Sequence, residues 1–297
     1  MTGEILVVAG QQDSGLSSRE AGTLKRPPRY PVLVVACASI LVLALVVTVF
    51  ADVIAPYHYA KQNLAARLQA PSLSGPYLLG TDHIGRDILS RVIYGTRMSM
   101  MVAGVGIVIA SLLGTLLGFV AAHYRGWIEE GVMMAVDFQA SMPFMIVALS
   151  VLAFFGNSFA LFLALMGLNW WERYARLTRG LVLGATGHSY AVAVHALGAT
   201  PLRIYGRHIL PNIGSVLIVQ LTLNFADTVL LESSLSFLGL GIQPPLTSLG
   251  AMLGEGRSYL LTAWWISVVP GVVIFFVTLS ASIVGDWLRD RFDPTLR

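Results

Sequence analysis

Long apolar runs without a single charged side chain divide the sequence into membrane and aqueous segments. Residues 32–50, 98–122 and 260–284 contain no Asp, Glu, Lys or Arg. A hydrocarbon core of about 30 Å is crossed by about 20 helical residues. Each run therefore predicts a transmembrane helix, and these are the first, second and sixth predicted helices.

Three further apolar runs are shorter or carry one acid. Residues 131–155 contain Asp137 and residues 213–231 contain Asp227, but both runs are otherwise apolar and long enough to span. They predict the third and fifth helices. Residues 159–171 are apolar but short, so a fourth span requires a thin bilayer or continuation into the charged residues that follow. The predicted fold class is an all-α integral membrane protein with about six transmembrane helices.

The polar segments between these runs give the domain organisation. A proline-containing stretch after the first helix is typical of an external lobe of loops and short elements. The predicted segments are an N-terminal cytoplasmic tail at 1–31, the first helix at 32–50, the external lobe at 51–97, a core of five helices at 98–285 with an internal loop at 184–212, and a C-terminal cytoplasmic tail at 286–297.

Composition and charge agree with a membrane location. Hydrophobic residues make up 56% of the chain and charged residues 12%, whereas soluble domains carry about 25% charged residues. Six crossings from an internal N-terminus place 13 of the 19 Lys and Arg residues inside, as the positive-inside rule requires. This basic internal face explains the net charge of +3 without a nucleic-acid partner. The single cysteine, Cys37, excludes an internal disulfide and a thiolate metal cluster.

The internal loop has its own helical pattern. Apolar residues recur at helical spacing up to Leu197 and again from Leu202 to Ile209, Gly198 interrupts the pattern, and Pro211 ends it. The pattern predicts two short helices joined by a turn, with one apolar face. Either a partner protein covers that face or the segment lies on the membrane as an amphipathic helix.

The letters of this loop resemble the cytoplasmic coupling motif of ABC importer permeases. Gly198, Leu210 and Pro211 stand where that motif has its glycine, a hydrophobic residue and its proline. Val192 stands where the motif has glutamate and Val194 where it has its second alanine, so the sequence departs from the motif at the acidic contact. The resemblance implies that the loop contacts an ATPase, through the residues Val192, Ala193, Ala196, Gly198, Arg203, Arg207, Leu210 and Pro211.

Four further segments resemble one branch of these permeases, the C-type subunit of dipeptide, oligopeptide and nickel importers. They are the segment 79–95 in the external lobe, the segments 235–245 and 250–257 after the fifth helix, and the C-terminal segment 285–294. The resemblance covers about residues 30–297. It implies a MetI-like permease bundle in a bacterial inner membrane, with the external lobe in the periplasm.

The same resemblance implies the function and the partners. The expected role is a permease subunit of an ATP-driven importer of dipeptides or oligopeptides, assembled with a second homologous permease, two cytoplasmic ATPases and a periplasmic solute-binding protein in the lipid bilayer. Nickel or another small solute is the alternative substrate. A secondary transporter is a different class of function, but no internal repeat is found. No cofactor is expected in this chain, because ATP would be bound by the ATPases and no phosphate-loop pattern occurs.

Several acidic residues leave alternatives open. Asp137, Asp227 and Glu232 lie at or near membrane depth, where an unpaired charge costs about 2.5 kcal/mol or more. They either line a polar path for a peptide or form hydrogen-bonded contacts between helices. In the lobe, Asp82 invites a metal hypothesis, but pairing of Arg86 with Asp82 or Asp87 explains the pattern better. The sequence predicts no catalytic or metal site and no enzymatic activity.

Overall fold

The structure is a computed structural model that describes residues 31–186 and 205–292. Within these ranges the fold is all-α, and β structure is limited to an isolated bridge between Thr81 and Asp87. The helices of eight or more residues are α1 (Pro31–Ile54), α2 (Ile88–Tyr124), α3 (Gly126–Ala140), α4 (Phe144–Phe155), α5 (Phe159–Leu168), α6 (Trp171–Thr186), α7 (Leu210–Phe237), α8 (Leu249–Gly256) and α9 (Trp265–Phe292).

Four of the described helices, α1, α2, α7 and α9, are long and apolar enough to cross a bilayer. A fifth crossing results if the bent pair α3 and α4 counts as one span. The predicted class of an all-α membrane bundle is confirmed. The observed helices are longer than the apolar runs that predicted them, since a helix continues past the hydrocarbon boundary while an apolar run ends there.

The third predicted helix is wrong as a single straight span. The run 131–155 is split between α3 and α4, which meet at an angle of 85° across the short break after Ala140. Pro143 explains the break, because proline lacks the N–H of a helical ladder and disfavours helical geometry in the residue before it. The N–H of Ser141 donates to the carbonyl of Asp137 and closes α3 on the near side of the break.

The fourth predicted run continues as helix into the charged residues that follow it, but with a break. α5 ends at Leu168, and after Trp170, whose φ is 72°, the chain enters α6, which ends at Thr186. α6 packs along α2. Two glycines of α2 permit the approach: a Cβ on Gly114 would meet the backbone of Trp171, and one on Gly118 would meet the backbone of Ala175. The small-residue spacing in α2 therefore serves packing inside this chain.

The remaining bounds shift at the helix ends. α2 starts at Ile88 because the Asp87 carboxylate accepts the N–H of Ser90 at 2.8 Å and caps the helix, so the last part of the predicted lobe 51–97 is helical. The lobe otherwise consists of loops and a short 3₁₀ turn, Leu64–Ala66. At the other end of α2, the predicted loop 184–212 overlaps the last turn of α6 and the first turn of α7.

α2 is the centre of the bundle, since α1, α5, α6 and α7 all pack against it. Two apolar clusters mark its ends. At the lobe end, Ile88 and Val92 pack with Met252 of α8 and Trp265 of α9. At the opposite end, here called the loop end, Ala122 packs with residues of α6 and α7. α2 therefore links the lobe rigidly to the helices that flank residues 187–204.

Candidate functional site

Four charged residues form one network at the lobe end, here called the lobe ion cluster: Asp82, Arg86, Arg91 and Glu255. Arg91 at the start of α2 donates from Nη1 to Asp82 at 2.8 Å and to Glu255 of α8 at 2.9 Å. Arg86 pairs with the same two carboxylates. The expected pairing of Arg86 with Asp82 is confirmed. The cluster joins two segments of the sequence motifs that are more than 150 residues apart.

The backbone around Asp82 is shaped to hold its carboxylate inside the lobe. Gly80 and Gly85 have φ near +79° and +78°, a geometry that a side chain disfavours. Oδ1 of Asp82 accepts the N–H groups of Ile84 and Arg86 at 2.9 Å each. Burial by itself raises the pKa of Asp82, but the charges of Arg91 and Arg86 and the hydrogen bonds outweigh it and hold that pKa below its usual value.

The lobe ion cluster fits a structural role better than a metal site. Ligand atoms of Asp82, His83 and Glu255 lie within 4.8 Å of one another, which is a metal-like spacing. However, two guanidinium groups already neutralise both carboxylates, and His83 stacks on Tyr259 with a centroid distance of 5.5 Å. A divalent cation would meet two positive charges at this place. The cluster therefore fastens the lobe to α2 and α8.

Glu232 is fully buried inside the chain. Its carboxylate accepts hydroxyl hydrogens from Ser236 at 2.8 Å and Ser233 at 3.3 Å, and the hydroxyls of Ser99 and Ser248 are also hydrogen-bonding neighbours. Ser248 caps α8, and Ser99 lies on α2. Glu232 thus connects α2, α7 and the start of α8, the arrangement expected of a helix-packing group.

Asp227 lies on a different face of α7 from Glu232. The two residues are five positions apart, which at 3.6 residues per turn separates them by about 140° around the helix. Asp227 is exposed, and it lies within electrostatic range of Arg173 on α6. Arg173 in turn lies over the ring of Trp170, 4.1 Å from the centroid.

Asp137 is exposed as well, on α3. Its carboxylate pairs with Arg176 of α6 at 2.8 Å, with exposed fractions of 72% for the Asp137 side chain and 51% for that of Arg176. One helical turn or more away, Glu129 of α3 pairs with Arg179 of α6. Of the three acids predicted at or near membrane depth, Glu232 is buried inside the chain and the other two are exposed on it. The path-lining role of Asp137 and Asp227 stays a prediction.

Most of the predicted ATPase contacts lie outside the described residues, namely Val192, Ala193, Ala196, Gly198 and Arg203. Arg207 is exposed in a π-helical turn, Tyr205–Ile209, that runs directly into α7. Leu210 and Pro211 lie in the first turn of α7. The expectation that Pro211 ends a short helix is wrong; it begins the long one, where a proline is tolerated because its missing N–H has no partner there.

Sequence reasoning missed Arg173 and Arg176 as candidate site residues. Both follow the short apolar run 159–171, where the sequence leaves open whether the fourth helix continues. Their spacing of three positions on a helix with a buried apolar face was the signal that could have found them. Arg91, which is central to the lobe ion cluster, was also missed, because the sequence alone does not show that it contacts Glu255.

Family models and relatives place this architecture in a known class. Residues 114–297 match the model described as the binding-protein-dependent transport system inner membrane component. Residues 32–71 match the N-terminal TM domain of oligopeptide transport permease C. The two matches leave residues 72–113 uncovered, and they confirm the resemblance found in the sequence motifs.

Individual relatives are similar along most of their length. The dipeptide transport system permease protein DppC of Haemophilus influenzae is 36% identical over 265 residues, 87% of this chain and 88% of the relative. DppC of Escherichia coli is 37% identical over 263 residues, with 86% and 87% covered. The glutathione transport system permease protein GsiD of Pectobacterium atrosepticum is 34% identical over 266 residues, with 89% and 88% covered.

A solved structure supports the fold. A chain of the MetNI methionine ABC transporter in an inward-facing conformation superposes with a TM-score of 0.56 at 17% identity. The match covers 69% of this chain and 98% of that chain, and it confirms the MetI-like bundle. The chain therefore belongs to the family of binding-protein-dependent transport system inner membrane components.

Proposed function

We propose that this chain is a transmembrane permease subunit of an ATP-driven importer of dipeptides or oligopeptides in a bacterial inner membrane. It forms half of the translocation pathway, and a second homologous permease forms the other half. Two cytoplasmic ATPases bind the ATP, a periplasmic solute-binding protein delivers the substrate, and this chain itself carries out no catalysis. Its N-terminus lies in the cytoplasm.

The observation that carries this proposal is the similarity along 84–89% of the chain to permeases named for dipeptides, di- and tripeptides and glutathione. Glutathione is itself a peptide, so these substrates share an ammonium group, carboxylates and amide bonds. The alternative of a secondary transporter leaves the similarity to subunits of binding-protein-dependent systems unexplained.

The packing at the loop end supports a coupling role for the segment 190–211. The two described helices that flank residues 187–204 are α6 and α7, and both pack on the end of α2 through Ala122, Val182 and Ile213. A displacement applied between them would reach both helices and, through α2, the lobe. Such rigid-body transmission needs stiff elements that share a packed core.

Site-directed crosslinking tests the coupling role. A cysteine replaces Ala196 in a Cys37→Ser background, and a second cysteine is placed in the candidate cleft of the ATPase. We expect a crosslink in the assembled complex whose yield changes when ATP is added. A matched cysteine at Leu73, which is exposed in the lobe at the other end of the bundle, should give no crosslink.

The contrary outcome is specific. If Ala196→Cys forms no crosslink to the ATPase in a complex that still purifies intact, and lipid instead shields the thiol from soluble reagents, the segment lies on the membrane. The importer proposal would then lose its link to ATP.

A further inference from the structure

α6 presents a charged face at membrane depth. Its first turns pack against Gly114 and Gly118, which lie within the charge-free run 98–122 of α2. Trp171, Tyr174 and Thr178 are buried, whereas Arg173 and Arg176 are exposed. The buried positions hold the helix against α2, and the arginines point away from it.

Two acids on neighbouring helices complete this face. Asp137 of α3 pairs with Arg176, and Asp227 of α7 lies near Arg173. We call these four residues the mixed-charge stripe. It contains two charges of each sign, and all four residues are exposed on this chain.

Lipid is an unsuitable neighbour for this stripe. A charged side chain facing the bilayer centre costs about 2.5–3.5 kcal/mol. The other exposed helix faces show what lipid-facing surfaces of this chain look like: the exposed positions Val108, Leu112 and Leu116 of α2 are all apolar. The mixed-charge stripe therefore faces water, a polar ligand or the second permease rather than lipid.

A groove adjoins the stripe towards the loop end, and neither Arg173 nor Asp227 lines it. A cavity of about 350 Å³ is lined by Leu177 of α6, Gln220 and Leu223 of α7, and Arg289 of α9. Leu177 lies one turn beyond Arg173, and Leu223 lies one turn before Asp227. The lining residues of α7 run from Val216 to Leu223, a length of about 10 Å along the helix.

We propose that the mixed-charge stripe and the adjoining groove form the substrate-facing surface of the chain, and that Arg173 and Asp227 bind the carboxylate and the ammonium ends of a zwitterionic peptide. This inference rests on the proposed function. A guanidinium offers a fork of donors to a carboxylate, and a carboxylate accepts hydrogen bonds from an ammonium group. Arg173 and Asp227 carry opposite charges, so the pair offers one partner to each charged end of such a peptide.

Cysteine accessibility tests whether the groove contains water. In a Cys37→Ala background, Leu223→Cys in the full complex is treated with a charged thiol reagent that does not cross membranes. We expect labelling in the absence of nucleotide and its loss when the ATPases are trapped with vanadate. The matched control, Leu116→Cys on the apolar face of α2, should stay unlabelled in both states.

Transport by charge variants tests the peptide contacts. In proteoliposomes that contain the full complex, Arg173→Gln and Asp227→Asn should each lower ATP-dependent uptake of a labelled dipeptide by roughly tenfold. Asp52→Asn, which breaks an exposed pair with Arg97 at the lobe end, is the matched control and should leave uptake within about twofold. Basal ATPase activity should be unchanged in Asp52→Asn, and co-purification of the subunits checks that all three variants assemble.

The double variant separates peptide binding from a structural ion pair. If Arg173 and Asp227 only hold α6 to α7, neutralising both removes the unpaired charge and uptake recovers. If they bind the peptide ends, uptake of the double variant stays as low as that of either single variant. Recovery of uptake in the double variant would overturn the inference, provided that the wild-type complex still transports the dipeptide. Labelling of Leu223→Cys no faster than of Leu116→Cys would overturn it as well. Absence of ATP-dependent uptake by the wild-type complex would instead overturn the proposed function.

Discussion

The lobe ion cluster and the mixed-charge stripe contain the same residue types but differ in burial and in the role that we infer for each. Each contains two arginines and two acids, but Asp82 and Arg91 of the cluster are buried and bonded on several sides, whereas Asp137 and Arg176 of the stripe are largely exposed. Burial with complete pairing fixes the geometry of the lobe. Exposure leaves the side chains of the stripe accessible to a ligand, and we propose that this ligand is the peptide.

The largest difference should appear in stability. Arg91→Met leaves Asp82 and Glu255 with one guanidinium instead of two, inside the chain. Removing one partner of a buried ion pair costs about 3–5 kcal/mol, so the variant should unfold at much lower denaturant in detergent. Arg97→Met, which breaks the exposed pair with Asp52, is the matched control and should cost less than about 1 kcal/mol. Equal effects of the two changes would remove the distinction between scaffold and surface charges.

The contact between α2 and α6, which positions the stripe, can be tested by adding one methyl group to a glycine of α2. Gly114→Ala places a Cβ against the backbone of Trp171 and should destabilise the protein by about 1–3 kcal/mol. Gly104→Ala on the same helix has nothing within 4 Å of the new Cβ and should be neutral or slightly stabilising. Thermal unfolding in detergent measures both. A neutral Gly114→Ala would show that α6 is not seated on α2 as described.

The two acids of α7 should separate stability from transport. Glu232→Gln disturbs a buried carboxylate that accepts serine hydroxyls and should cost about 1–3 kcal/mol of unfolding free energy. Asp227→Asn changes an exposed group, so its stability should stay close to wild type while dipeptide uptake falls. Unfolding and uptake are measured for both variants. We expect the larger loss of stability in Glu232→Gln and the loss of uptake without a loss of stability in Asp227→Asn. The same pattern for both residues would contradict their assignment to different faces.

The smallest expected effect is a pH dependence of the lobe. Because the pKa of Asp82 is lower in the folded chain than the ordinary 3.8, the unfolded chain takes up the proton first as the pH falls. The contribution of ionised Asp82 to folding stability is complete at pH values above the unfolded-state pKa. It is lost as the pH falls through the lower folded-state pKa. Thermal unfolding in acid should therefore be less steeply pH-dependent in Asp82→Asn than in the wild type. An unchanged slope would rule out this contribution.

The transmembrane class and the family could be predicted from the sequence, because both depend on local features. Long charge-free runs predict helices such as α2 and α9, and the motifs at 79–95 and 235–257 lie in contiguous segments. The pairing of Arg86 with Asp82 was also predictable, since the two residues are four positions apart in a loop that contains two glycines.

What could not be predicted depends on contacts between distant segments. Arg173 and Arg176 look like loop residues until α6 is seated on Gly114 and Gly118, because only that contact places them at membrane depth. The sequence also could not distinguish a path-lining role from a helix-packing role for Asp137, Asp227 and Glu232. Which face of α7 is buried depends on Ser99 and Ser248, which come from other elements. Pro143 indicates a helix break, but the apolar residues on both sides of it favour one continuous span in the sequence.

The proposed import of peptides with energy from ATP can be measured directly. The measurement is accumulation of a labelled dipeptide in proteoliposomes that contain both permeases, the ATPases and the binding protein. We expect accumulation to require ATP and the binding protein and to persist when the proton gradient is collapsed. Accumulation that follows an imposed ion gradient, and is indifferent to an ATPase variant unable to hydrolyse ATP, would contradict it.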